Sequence, residues 1–379
     1  MSAEVKRRIK VCILQNGMSF GGTDTFVLNL CRGIDQSRFD VTIMNPCTDP
    51  AKNPLLEEFK ATGVKIVMTS SLIGVRNMLR HFIMEYRILR QGRYDVFHTN
   101  VDLRNGFLLL PAWLARVPLK VCHSHNGNQS REIRDGRSLP VRLYQGVMRW
   151  MCHRFADRYT GCAPEAMQFL FPGFHWQDDR YPQIINNGID LARFTISGDT
   201  TRLRHELGLT HARNIIVVGK ISLQKNPLLT VGIFNEVCRR RDDVGLIWVG
   251  DGEMKPLVDE KIAEYGITDR VCFTGHRKDI PELMHCADLF LFPSYFEGLG
   301  IVMIEAQAAG LPCVASDGVP SLANCGGAVY HRLDDSPSEW ADTICKILDG
   351  KCVLKADDSL LSNFSIDNMV SQMQKVFTE

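Results

Sequence analysis

The stretch Leu289-Phe290-Leu291-Phe292-Pro293-Ser294-Tyr295-Phe296-Glu297-Gly298-Leu299-Gly300-Ile301-Val302-Met303-Ile304-Glu305 decides the fold. Its first four residues are an apolar run of strand length, and Pro293 ends the run. A loop with two glycines follows at 294–300, and an apolar helix opens near Ile301. Strand, glycine-rich loop and helix, in that order, make one step of a parallel sheet covered on both faces.

The same step recurs outward from this point. Strands are predicted at 214–219, 244–250, 270–274 and 312–316, with helices near 228–239, 254–264, 281–285, 300–309 and 337–349. Upstream, strands at 9–15, 40–45, 64–69, 95–99 and 119–124 alternate with helices at 24–34, 54–62, 71–91, 103–115 and 142–158. The pattern restarts after Asn186-Asn187-Gly188-Ile189-Asp190. The expected fold class is therefore α/β, with two Rossmann-like, doubly wound parallel-sheet domains at 1–186 and 187–364. A terminal helix at 365–379 is expected to pack back toward the first domain. Two such domains facing each other would leave a cleft at the carboxyl ends of their strands, where ligands bind in open parallel sheets.

A chain of 379 residues exceeds the usual reach of a single core, in keeping with two domains. Hydrophobic residues at 45% and charged residues at 23% exclude a disordered or fibrous protein. The 13 cysteines show no CxxC pair and no zinc-ligand spacing, so reduced, buried thiols and a cytoplasmic setting are expected. The basic start (Lys6, Arg7, Arg8, Lys10) precedes an apolar run too short for a signal peptide, and the run at 107–115 is half a membrane span. Charge is unevenly placed. Residues 1–190 hold 25 Lys and Arg against 17 Asp and Glu, and the remainder 19 against 26. The basic half suits an anionic partner.

The two glutamates of the opening stretch carry the chemistry. Gly298 and Gly300 allow close ligand approach, and the helix start offers free amides and a positive dipole end to an anion. Glu297 stands before those donors. Glu305 sits among Ile304, Ala306, Ala308 and Ala309, where a carboxylate is costly without a hydrogen-bonding partner such as a vicinal diol. On residues alone, a helix start with one capping and one solvated glutamate fits as well. Glu297, seven intervening residues, Glu305 and then Ala306-Gln307-Ala308-Ala309-Gly310-Leu311-Pro312 resemble the E-x7-E signature of retaining glycosyltransferases of family 4, especially bacterial enzymes of capsule and exopolysaccharide assembly.

That resemblance implies a GT-B fold and a site for a nucleoside diphosphate sugar, uridine-linked. It implies that Glu297 contacts the transferred sugar, that the amides of Gly298, Leu299 and Gly300 hold the distal phosphate, and that Glu305 binds the ribose hydroxyls. Lys220 and Lys225, after the first strand of the second domain, stand where the family holds the diphosphate with Arg then Lys; as residues alone they could be surface lysines. Lys220 departs from the pattern and loses the bidentate fork. Gly275, His276 and Arg277 match the loop that reads the nucleobase, although Arg277 also fits a plain surface position. Gly21 and Gly22, opening the first helix, match the loop that approaches the donor phosphates and the acceptor, with Asp24 where relatives carry Glu; a simple turn reads the same way. His125, ending the strand with His123, matches the histidine that stabilises the sugar's developing positive charge through its backbone carbonyl, while a structural histidine is the alternative. His98 also ends a strand.

No cofactor beyond the donor is expected, and no metal, since neither cleft motif carries a DxD-like acidic pair. The expected partners are the nucleotide sugar, a glycan or lipid-linked acceptor, and the anionic inner face of the cell membrane. For the last, arginines 76, 80, 87, 90 and 93 interleave with apolar residues in 71–93, and 131–158 adds a second basic region. A solvated helix face explains the same pattern. Nucleic acid is not expected, for no aromatic–basic motif is present. A nucleotide-sugar 2-epimerase and a non-catalytic nucleotide-sugar sensor remain as other classes.

Overall fold

A computed structural model of the chain describes residues 7–19, 21–47, 49, 51, 53–125, 139–173, 181–195 and 200–379. Phe20, Asn126 and the first part of the basic region, 131–138, lie outside the described residues. The chain divides into two units, Met1–Gly188 with Ile366–Glu379, and Ile189–Ser365.

The first unit is built on β1 (Ile9–Leu14), β2 (Phe39–Asn45), β3 (Lys65–Met68), β4 (Val96–Thr99), β5 (Leu119–Ser124) and β6 (Arg158–Gly161). All pair in parallel in the order β3-β2-β1-β4-β5-β6. Period-two alternation along β1 sorts its side chains onto two cores. Val11 and Ile13 meet Phe26 and Leu30 of helix Gly22–Gly33. Cys12 and Leu14 meet Phe97, Leu108 and Cys152 on the opposite face. Helices Val75–Gly92, Asn105–Leu114 and Leu139–Phe155 cover that second face.

The C-terminal helix Ile366–Thr378 completes the first core. Met369, Val370, Met373, Val376 and Phe377 are buried there. Val370 fits because residue 33 is glycine: a Cβ at Gly33 would stand 2.8 Å from Val370 Cγ2. Gln374 Oε1 accepts from the Asp35 amide at 3.1 Å.

The second unit repeats the plan with β7 (Arg213–Val218), β8 (Val244–Val249), β9 (Val271–Gly275), β10 (Leu289–Phe292), β11 (Cys313–Ser316) and β12 (Ala328–His331). The order is β12-β11-β10-β7-β8-β9, again parallel. The chain leaves β7 in one direction through β8 and β9, then returns to pair β10 on the other side of β7. The carboxyl ends of β7 and β10 therefore flank the topological switch point.

Both doubly wound parallel sheets are as the sequence predicts, with one correction. Each has a sixth strand, β6 or β12, that the apolar runs do not reveal, and Arg158 opens β6 where a helix was predicted to end. Among the described residues no helix is long and apolar enough to cross a membrane.

Candidate active site

At the switch point of the second unit, the loop after β7 meets the loop after β10. Lys225 Nζ donates to Glu297 Oε1 at 2.7 Å, with the two side chains 22% and 9% exposed. The same ammonium lies 4.7 Å from the Phe292 ring centroid. Gln224 locks the loops together: its carbonyl accepts from the Tyr295 amide at 2.8 Å, and its Nε2 donates to the Phe296 carbonyl at 3.0 Å. The Glu297 amide donates to the Gly318 carbonyl at 3.1 Å. That approach demands glycine, since a Cβ on Gly318 would stand 2.3 Å from the Tyr295 oxygen.

Gly300 caps helix Ile301–Ala308 in the left-handed region at φ 82°, with no side-chain cap and no acidic residue in the first turn. The Met303 amide donates to the Gly300 carbonyl at 2.9 Å, and the amides ahead of it are the orphan donors of a helix start, to which the dipole adds positive potential. Gly298 is half-buried in this loop, and Leu299 and Gly300 are buried. Glu305, half-buried one turn further on, has its carboxyl pushed up to about 7 by burial, with the Arg193 charge opposing. Its cost as a carboxylate falls when hydroxyl donors reach it.

Lys220 does not join Glu297. It pairs with Glu253 at 2.8 Å on the surface, and that contact holds the Glu253 carboxyl below its ordinary range. Gly275 ends β9, and its carbonyl accepts from the Gly250 amide at 2.9 Å. His276 is exposed beside it. Arg277 is engaged within the protein: its guanidinium forks onto Asp279 at 2.5 and 2.8 Å and reaches Glu206 at 3.5 Å.

In the first unit, Gly21 is the N-cap and Gly22 the first residue of their helix. Asp24 accepts from the Ser19 amide at 2.8 Å and from the side chains of Ser19 and Gln15, tying the glycine loop to the end of β1. His125 follows β5. Its amide donates to Asp102 Oδ1 at 2.9 Å, its Nε2 meets Asn100 Oδ1 at 3.1 Å, and its carbonyl accepts from Cys162 Sγ at 3.2 Å. Burial pushes its imidazole down to about 3, so the ring is neutral. His98, His123 and His125 form a buried chain, with ring centroids 5.8 and 4.5 Å apart. A cavity of about 510 Å³ opens at the carboxyl ends of β1, β2 and β3, lined among others by Asn16, Gly17, Cys47, Ile73 and Arg104.

Sequence reasoning passed over Gln224, Glu253 and Gly318. Each acts through backbone contacts or a partner distant in the chain, and neither leaves a local spacing. Lys220, Lys225, Glu297 and Glu305 come from the resemblance to the E-x7-E family; charge and position alone leave a surface or solvated role open for each.

Residues 20–193 match the Glycosyltransferase Family 4 domain, and residues 212–350 the Glycosyl transferases group 1 domain. EpsF of Bacillus subtilis (strain 168), which bears a glycosyltransferase name, is 32% identical over 352 residues, covering 91% of this chain and 88% of its own. An Escherichia coli protein named UDP-Gal:alpha-D-GlcNAc-diphosphoundecaprenol alpha-1,3-galactosyltransferase is 26% identical over 320 residues, 82% of this chain and 80% of its own. Anabaena HepE, solved in complex with UDP, shares the fold with a TM-score of 0.77 at 18% identity, over 97% of this chain and 99% of that one. Two matched domains, the E-x7-E helix at the switch point and the extent of the likeness to EpsF show that the chain belongs to glycosyltransferase family 4 and has the GT-B fold.

Proposed function

We propose that this glycosyltransferase moves a hexosyl unit from a uridine-linked nucleoside diphosphate sugar to a glycan or lipid-linked acceptor in bacterial surface polysaccharide synthesis. Transfer proceeds with retention of anomeric configuration and without a metal. The bond from C1 of the sugar to the diphosphate breaks with its electron pair on the phosphate. The acceptor oxygen bonds C1 on the same face, and its proton passes to the departing phosphate oxygen. Lys225, Lys220 and the amides of Gly298 to Gly300 hold the leaving anion. Glu297 orients the sugar, Glu305 takes the ribose hydroxyls, the loops at Gly21–Gly22 and Gly275–Arg277 border the donor, and the His125 carbonyl faces the oxocarbenium charge.

The observation that carries this reading is the Lys225–Glu297 pair at the mouth of an uncapped helix at the switch point. It sets a cation and a carboxylate side by side, three residues before the glycine that caps a helix start. The UDP complex of HepE and the UDP-Gal and diphosphoundecaprenol in the E. coli relative's name support the choice of donor and acceptor class.

A thermal-shift panel of nucleotide sugars should single out a uridine-linked donor, and NMR of the product should show the donor's anomeric configuration kept. Glu297→Ala should cut turnover by roughly a thousandfold while leaving the melting profile intact. Near-normal turnover of that variant would sink the assignment. Nucleotide released with no new glycosidic bond would point to epimerase chemistry instead.

A further inference from the structure

We infer that Asp102, in the loop after β4, is a positioning residue for transfer: its side chain holds the main chain of His125 so that the His125 carbonyl keeps one direction. The inference rests on the transfer reading above, which puts that carbonyl against the oxocarbenium charge.

The loop after β4 is built onto the end of β5. Asn105, buried at the start of helix Asn105–Leu114, accepts from the Thr99 hydroxyl and from the Val101 amide, both at 2.8 Å. Its Nδ2 donates to the His123 carbonyl at 2.9 Å, which ties the loop to β5 two residues before His125. Between Val101 and Asn105 lies Asp102, half-buried and in the left-handed region at φ 52°. Glycine adopts that angle freely, whereas a residue with a Cβ is strained there, asparagine and aspartate least of all. What aspartate has and glycine lacks is an acceptor: Asp102 Oδ1 receives the His125 amide at 2.9 Å. Strain kept where glycine would relieve it points to a functional position.

The His125 ring is pinned without help from Asp102. Its centroid lies 4.5 Å from that of His123 and 5.1 Å from that of Phe26, and its Nε2 meets Asn100 Oδ1 at 3.1 Å. The main chain has other holds. The peptide joining Ser124 to His125 is gripped from opposite sides: the Cys162 amide donates to its carbonyl at 3.0 Å, and Asp102 accepts from its N–H. The next carbonyl, that of His125, accepts from Cys162 Sγ at 3.2 Å. Burial pushes this thiol up to about 12, so it keeps its proton, yet a thiol is a weak donor.

Without the Asp102 acceptor, the peptide is held on one side and can pivot about the Ser124 oxygen. The weak thiol contact is then the main restraint on the His125 carbonyl, while the ring and the core stay in place. Stabilising a developing charge needs the oxygen fixed before the charge forms. A displacement of about 1 Å can cost roughly a hundredfold in rate. The nucleotide, on the same reading, is held in the second unit by Lys220, Lys225 and the amides of Gly298 to Gly300. Loss of Asp102 should therefore reach turnover and spare nucleotide affinity, a split that general damage to the fold does not produce.

Substitutions at Asp102 in the full chain test this. Asp102→Gly removes the acceptor and the strain together, so kcat should fall roughly ten- to a hundredfold while UDP affinity by calorimetry and the melting temperature stay close to wild type. Asp102→Ala removes the acceptor and keeps the strain, so it should lose the same turnover and also melt earlier. Asp102→Asn keeps an acceptor oxygen and tolerates the angle, and it should restore kcat to near wild type. A chain labelled with ¹⁵N-histidine gives a readout that needs no donor, acceptor or turnover. The His125 amide should exchange with solvent about tenfold faster or more in the Gly and Ala variants, and at the wild-type rate in the Asn variant. Wild-type kcat in Asp102→Gly, a drop in UDP affinity matching the drop in kcat, or an Asn variant as slow as the Gly variant would each overturn the inference. Unchanged His125 exchange in Asp102→Gly would do so even with transfer intact. A wild type that moves no sugar, with the exchange pattern as expected, would instead sink the transfer reading on which the role depends.

Discussion

Lys220 and Lys225 lie five residues apart after β7, yet their surroundings set different consequences for losing them. The Lys225–Glu297 pair is largely shielded from water, and removing the ammonium leaves a poorly solvated carboxylate without its partner. Lys225→Met should therefore cost about 2 kcal/mol of stability together with most of the turnover. Lys220 and Glu253 are 64% and 60% exposed, where ion pairs contribute little to folding. Lys220→Met should leave the denaturation midpoint in place while weakening donor binding and slowing transfer. Urea unfolding beside nucleotide titration separates the two, and equal midpoint shifts would contradict this division. Both cations were readable in the sequence through the family resemblance. Their inequality was not, because Glu253 lies after β8 and Glu297 after β10, and three-dimensional pairing has no local spacing. Arg277 makes the same point in reverse, since a cation that the family resemblance assigns to a nucleobase loop is committed to Asp279 and Glu206.

At the scale of elements, apolar density decided what could be read. The inner strands are continuous buried runs such as Val244–Val249 and Leu289–Phe292, so each was predicted within a residue or two. The edge strands Arg158–Gly161 and Ala328–His331 are four residues long and only partly buried, and their sequences resemble loops. The loop–helix junction at Gly300 was legible because a glycine before an apolar run is a helix-start signal. Gly300→Ala tests what that junction does. At φ 82° an alanine is strained, and its Cβ would press on Val319 Cγ1 at 3.0 Å and Phe292 Cε1 at 3.4 Å. The substitution should cost about 1–2 kcal/mol of stability and shift the Gly298–Gly300 amides away from the proposed phosphate position. Calorimetric titration with UDP should show weaker binding. Unchanged affinity would mean that those amides do not hold the anion.

For the whole molecule, buried titratable groups give the two units opposite responses to acid. In the first unit, burial holds His98 and His125 down at about 3 and His123 well below its ordinary 6.5. As pH falls through about 6.5 the unfolded chain protonates these rings while the folded unit keeps them neutral. The unfolded state then binds more protons, so stability is lost progressively from that pH downward until the folded rings titrate near 3. His81, lowered to about 4 by burial, adds to this loss, whereas Glu85 and Asp24, both raised by burial, oppose it. In the second unit the sign reverses. Glu305 titrates at about 7 when folded against 4.5 otherwise, so the folded state holds the extra proton and gains stability between those values as pH drops. The C-terminal helix follows the first unit, because its Phe377 ring packs against His98 at 5.6 Å. Acidification from pH 7.5 to 5.5 should therefore split the calorimetric transition, with the first unit melting earlier. Hydrogen exchange at pH 5.5, corrected for intrinsic rates, should show β1, β4, β5 and helix Ile366–Thr378 losing protection before β7 and β10. Loss of protection in the second unit first would show that the buried histidines do not govern the acid limb.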